Sequence, residues 1–104
     1  MKHSLLFLIA ASLAACSASP ASRDGISDPG QLLFNGYVRG TVDCYRCHGG
    51  DASGTWKGPG LKGLSPNKVR HAIRSGPGLM PSFDEEDLSE RELEKIVTWL
   101  GTLR

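Results

Sequence analysis

Apolar residues in this 104-residue chain fall in a few short patches, and the spacing within each patch says what it builds. Val69, Ala72 and Ile73 stand at i, i+3 and i+4, and Leu93, Ile96, Val97 and Leu100 make a longer stripe of the same period. Residues three and four apart share one face of an α-helix, so both segments are expected to be amphipathic helices. Their starts are marked too. Ser65-Pro66 supplies an N-cap and a first helical residue before a helix that Gly76 stops, while Ser89 and Glu92 form a capping box that Leu88 and Leu93 can staple. Asp28-Pro29 repeats the cap pattern and opens a short helix through Gln31, Leu32, Leu33 and Phe34, which Gly36 can end. Gly36 to Asp43 reads as loop, as does the glycine-rich stretch from Gly49 to Gly63, with Trp56 and Leu61 able to point inward. No alternating strand pattern and no internal repeat appears, so the expected class is all-α, with three to four short helices and long loops.

The opening patch is of another kind. Lys2 precedes an unbroken apolar run from Leu5 to Ala11, followed by Ser12 and small residues, which is the layout of a bacterial export signal. The run is too short to span a hydrocarbon core of ~30 Å, which takes about 20 apolar residues. Leu13-Ala14-Ala15-Cys16 resembles the lipobox of bacterial lipoproteins. That resemblance implies that residues 1–15 are removed and that Cys16 becomes a lipid-bearing first residue; ordinary cleavage a few residues later is the alternative. Ser17 to Ser27 is rich in Ser and Ala and reads as a flexible tether, so residues 16–27 join the lipid to a domain at 28–104. The expected location is the cell envelope, lipid-anchored and facing the periplasm.

Charge adds a segregation rather than a sum. Basic and acidic residues number 12 and 11. Yet Arg39, Arg46, Lys57, Lys62, Lys68, Arg70 and Arg74 face only Asp43 and Asp51 in their stretch of sequence, and the balance reverses from Asp84 to Lys95. Nucleic-acid binding needs a net basic surface, so it is set aside, and the basic stretch suits an acidic redox protein partner or solvated helix faces. Three cysteines are an odd number for an exported chain. Lipid on Cys16 would leave Cys44 and Cys47, too close together to close a useful structural loop.

Cys44-Tyr45-Arg46-Cys47-His48 has the spacing of a c-type haem attachment site. On one tight turn both sulfurs can reach the vinyl groups along one haem edge, and the next residue brings its imidazole under the iron. The rivals are weaker. A structural zinc site takes four ligands, and outside the motif the mature chain offers only His71 as a nitrogen or sulfur donor besides a thioether. A thioredoxin-like dithiol needs a βαβ context. A haem would also fill the middle of a domain whose three short helices cannot build much core. Met80 is the only methionine left once the leader is removed, and it lies in the turn-rich run Gly76-Pro77-Gly78-Leu79-Met80-Pro81, able to lay a thioether over the haem. Its one rival as sixth ligand is His71, on the short helix.

From Cys44 to the C-terminus the chain resembles the monohaem class I cytochromes c of bacteria. Gly58-Pro59-Gly60-Leu61 looks like that family's proximal loop, and the resemblance implies that the Pro59 carbonyl accepts a hydrogen bond from His48. Leu79-Met80-Pro81-Ser82-Phe83 looks like the distal ligand loop, and Ile96-Val97-Thr98-Trp99-Leu100 like the C-terminal helix with Trp99 at its aromatic position. Ahead of the haem motif the family carries a glycine and then an aromatic; Gly36 fits the first, Gly40 stands at the second, and Phe34 can supply the aromatic from upstream. The resemblance implies a small cytochrome c fold around one haem c, held by Cys44, Cys47 and His48 and completed by Met80.

An iron held by His48 and Met80 has no open position, so the expected function is single-electron transfer by a monomeric, membrane-tethered carrier rather than catalysis. Two alternatives stay open: a haem enzyme or gas sensor with a displaceable Met80, and a dedicated cytochrome subunit of a dehydrogenase.

Overall fold

The computed structural model describes residues 25–103. The expected leader at 1–15, the lipid site Cys16 and most of the tether at 16–27 lie outside the described residues. Within them the chain forms four helices and no strand: α1 (Pro29–Phe34), α2 (Tyr45–His48), α3 (Pro66–Ser75) and α4 (Glu90–Gly101). None of the described helices is long and apolar enough to cross a membrane.

The caps form as the sequence implies. Asp28 accepts from the amides of Gly30 (2.8 Å) and Gln31 (3.4 Å) at the start of α1, and Ser65 accepts from Lys68 N at 3.3 Å at the start of α3. The capping box of α4 is complete, with Glu92 N donating to Ser89 Oγ at 3.2 Å and Ser89 N donating to Glu92 Oε1 at 3.1 Å. Each cap satisfies donors that the first helical turn would otherwise leave unpaired.

Helix α4 is the spine of the domain. Its buried face, Leu93, Ile96, Val97, Trp99 and Leu100, meets Leu33 and Phe34 of α1, Val69 and Ile73 of α3, and Leu88, Val42 and Ala52 from the loops. The most extensive helix pairing is α1 on α4. The two backbones approach so closely at Gly30 that a Cβ placed there would lie 2.7 Å from the Trp99 Cβ and 2.8 Å from the Lys95 carbonyl carbon. Any larger residue would push the helices apart. One turn on, the Phe34 ring packs on Trp99 with centroids 5.0 Å apart and planes tilted by 57°, a favourable arrangement for aromatic quadrupoles.

Two expectations are corrected by these contacts. The glycine that meets the C-terminal helix is Gly30, not Gly36; Gly36, at φ 76°, follows the C-cap Asn35 of α1. Gly30 and Phe34, four apart, therefore share the face of α1 that Trp99 covers, and Gly40 has no part in it. Trp56 does not point inward: it is 90 % exposed, whereas Leu61 does pack against the core.

Loop 36–43 is tied to the start of α4 through Arg39. Its guanidinium donates to both Glu92 carboxylate oxygens at 2.9 and 2.8 Å and to the Asp87 carbonyl at 3.1 Å. Arg39 and the Ser89 amide together hold the Glu92 carboxyl well below its ordinary range, at about 2. A second fork, from Arg70 to Glu94 at 2.7 and 2.8 Å, links α3 to α4.

Candidate haem-binding site

Helix α2 is a single turn made by the motif itself. Its backbone bonds run from His48 N to the Cys44 carbonyl (3.0 Å) and from Gly49 N to the Tyr45 carbonyl (2.9 Å). Gly49 then leaves at φ 82°, a conformation that favours glycine. Asp43 pairs with Arg46 across this turn at 2.8 Å. One turn of helix sets Cys44, Cys47 and His48 side by side: Cys47 is exposed, Cys44 is half-buried against the core, and His48 is buried.

Neither sulfur is in a disulfide. Burial pushes the Cys44 thiol up to about 11, so it is a neutral thiol at physiological pH. A redox dithiol works through a thiolate of lowered pKa, the opposite of the shift at Cys44. Among the described residues no three or more of His, Cys, Asp and Glu converge into a metal-binding group, whereas a structural zinc site takes four ligands.

His48 is fixed by one bond of clear meaning. Its Nδ1 lies 2.8 Å from the Pro59 carbonyl oxygen. A carbonyl can only accept, so Nδ1 carries the proton, and in a neutral imidazole this leaves the lone pair on Nε2, the tautomer a metal ligand needs. The Phe34 ring, 6.4 Å away by centroid, backs the imidazole from the core side. This donor set fits a c-type haem: two free sulfurs on one turn, and an imidazole whose second nitrogen is already committed.

The loop that brings Pro59 back to His48 is closely interlocked. Gly54 N donates to the His48 carbonyl (2.7 Å), Thr55 Oγ1 to the Cys47 carbonyl (2.6 Å), Thr55 N to the Gly58 carbonyl (2.9 Å), and Leu61 N to the Ala52 carbonyl (2.8 Å). Close approach makes its glycines necessary. A Cβ on Gly54, which sits at φ 97°, would come within 2.6 Å of Gly60 N, and one on Gly58 within 3.2 Å of both the Cys47 Cβ and the His48 Cε1. Ala52, wholly buried, is itself held at φ 62°.

Met80 lies on a second loop, half-buried and packed against the core, with its amide donating to the Pro77 carbonyl at 3.1 Å. The rival His71 is exposed on α3. Sequence reasoning passed over Arg74, which bonds this loop from α3, and Thr55, which bonds the cysteine turn. Nothing in the pattern of an isolated threonine or arginine signals such a partner.

Residues 30–100 match the protein family described as cytochrome c oxidase, cbb3-type, subunit III. The chain belongs to this family. It is a c-type cytochrome of the monohaem class I kind, and the Cys44–His48 turn is its haem c motif. The family match begins at Gly30, the helix-crossing glycine, and runs past Trp99, so it takes in both halves of the α1–α4 contact. No curated protein and no solved structure matches the chain.

Proposed function

We propose that this cytochrome c domain carries single electrons between redox protein partners through one haem c, attached at Cys44 and Cys47 and ligated by His48 and Met80. The observation that carries this reading is the committed tautomer of His48 within a family-matched haem motif. When bound, the haem supplies an iron that cycles between ferric and ferrous states. The chain's residues decide the rest. Proton donation to the Pro59 carbonyl makes Nε2 a better donor and stops the ring from turning. Met80 would supply a thioether to the iron, which would favour the ferrous state, as would burial of the group against Phe34 and the core, so the potential should be fairly positive. If His48 and Met80 both hold the iron, no position would be left for peroxide or dioxygen, which favours transfer over catalysis.

On the same proposal the domain works outside the cytoplasm, tethered by lipid on Cys16 through the Ser- and Ala-rich stretch to Ser27, and it meets its partners as a monomer. Arg46, Lys57 and Lys62 are exposed near the motif and suit an acidic partner, although Arg46 is already paired with Asp43. Lys57 sits over the exposed Trp56 ring, 5.4 Å from its centroid, which presents a cation and an aromatic together beside the cysteine turn.

Carbon monoxide separates the carrier from a sensor or enzyme. The reduced holoprotein should not bind it at neutral pH, because Met80 keeps its place; ready binding would hand the lead to the reading in which Met80 is displaceable.

A further inference from the structure

The loop that carries Met80 begins where α3 ends. Gly76 closes α3 in the left-handed region at φ 64°, and a Cβ there would lie 2.6 Å from Ser82 N and 2.8 Å from the Met80 carbonyl oxygen. The loop therefore folds back over its own root, but its internal bonding is sparse: Met80 N to the Pro77 carbonyl at 3.1 Å, then Phe83 N to the Ile73 carbonyl at 2.9 Å. What holds its outgoing leg is Arg74. Nη1 donates to the Phe83 carbonyl at 3.1 Å and to the Leu88 carbonyl at 2.7 Å, joining the last turn of α3 to both ends of segment 83–88. Nη2 is buried without a hydrogen bond, with Glu90 Oε2 at 3.8 Å. A guanidinium that buries one nitrogen in this way is costly in a small domain unless its other contacts do something a neutral side chain could not.

We propose that Arg74 is a positioning residue for Met80: by clamping the Phe83 and Leu88 carbonyls to α3, it fixes the height of the ligand loop and sets how firmly the thioether stays on the iron. This rests on the reading of Met80 as the axial ligand. The hydrogen bonds of Arg74 go to Phe83 and Leu88, and its effect on Met80 passes through the backbone from 81 to 83. A planar fork reaches two carbonyls of one segment at once, and a lysine ammonium in its place can serve one of them.

The test uses the full-length ferric holoprotein and adds imidazole as a competing ligand, following loss of the weak long-wavelength band that reports methionine on ferric haem. Exchange of the Phe83 amide hydrogen is measured alongside. Arg74→Gln should bind imidazole about tenfold more tightly and exchange Phe83 about tenfold faster, the size expected for losing charge-assisted hydrogen bonds, with Arg74→Lys in between. Arg70→Gln, which removes an ion pair from the same helix without touching the loop, should change neither. Equal behaviour of Arg74→Gln and Arg70→Gln would overturn the proposal alone. If Met80→Ala keeps the wild-type band, the ligand reading falls, and the proposal with it. Should Arg74→Gln fail to assemble with haem, Arg74→Lys carries the same test, and wild-type imidazole affinity there would overturn the proposal.

Discussion

The loops that carry Pro59 and Met80 are built on different principles. On the proximal side, residues 49–61 are locked by backbone bonds to the cysteine turn, by Thr55, and by glycines at van der Waals contact with each other and with Cys47 and His48. On the distal side, residues 76–83 carry few bonds of their own and lean on one glycine and on Arg74 in the last turn of α3. His48 is thus fixed by the segment that follows it in the chain, and Met80 by the attachment of its loop to α3. The lesson is that the histidine side should behave as part of the fold, and the methionine side as a part that can open on its own.

That contrast can be broken most severely with a pair of glycine substitutions of the same kind. Gly54→Ala puts a methyl group 2.6 Å from Gly60 N at φ 97°. Strain and overpacking together should cost roughly 2–6 kcal/mol, so the variant should yield little haem-loaded protein, read by haem absorbance of the purified chain. Gly76→Ala meets Ser82 N at the same distance. Here the distal loop can move away, so covalent haem should be retained at a cost of about 1–3 kcal/mol in thermal or denaturant unfolding, while the methionine band weakens or disappears. If the two variants lose haem equally, the loops are not different in the way described.

A smaller effect should appear on acidification. The folded-state pKa of Glu92 is about 2, below its ordinary 4.5, so its pairing with Arg39 stabilises the fold fully above about pH 4.5 and is lost as pH falls towards 2. Glu92→Gln should lower stability at neutral pH by about 1–2 kcal/mol, a figure discounted for solvent screening because Arg39 is 40 % exposed, and the gap from wild type should close in that acid window. Because this pair holds loop 36–43 to α4 and not the Met80 loop, the methionine band should be unaffected. Smaller still is Arg70→Gln. Its pair with Glu94 is exposed on both sides, and the urea unfolding midpoint should stay close to that of the wild type.

The helices were legible because caps and apolar stripes are local: Asp28-Pro29, Ser65-Pro66 and the Ser89–Glu92 box all formed where their residues stand. The motif was legible for the same reason, since three neighbouring residues on one turn need no tertiary information. What could not be read was register between distant elements. Gly30 and Gly36 both end or interrupt a short helical pattern, and only the approach of Lys95 and Trp99, some 65 residues on, distinguishes them. Trp56 was misplaced because aromatic character argues for burial, whereas Thr55 and Gly58, bonded to the cysteine turn and to each other, leave its indole outside. The Arg74 clamp was invisible because its partners are backbone carbonyls, which every residue has.

On the function proposed above, the chain holds one c-type haem through Cys44, Cys47, His48 and Met80. The optical spectrum of the full-length holoprotein, oxidised and dithionite-reduced, tests this directly, with Met80→Ala beside it. Sharp c-type α and β bands on reduction, together with a weak long-wavelength ferric band that Met80→Ala abolishes, are the expected result. Haem bands with no methionine band in the wild type would contradict the ligand assignment, and the absence of any haem spectrum would contradict the account as a whole.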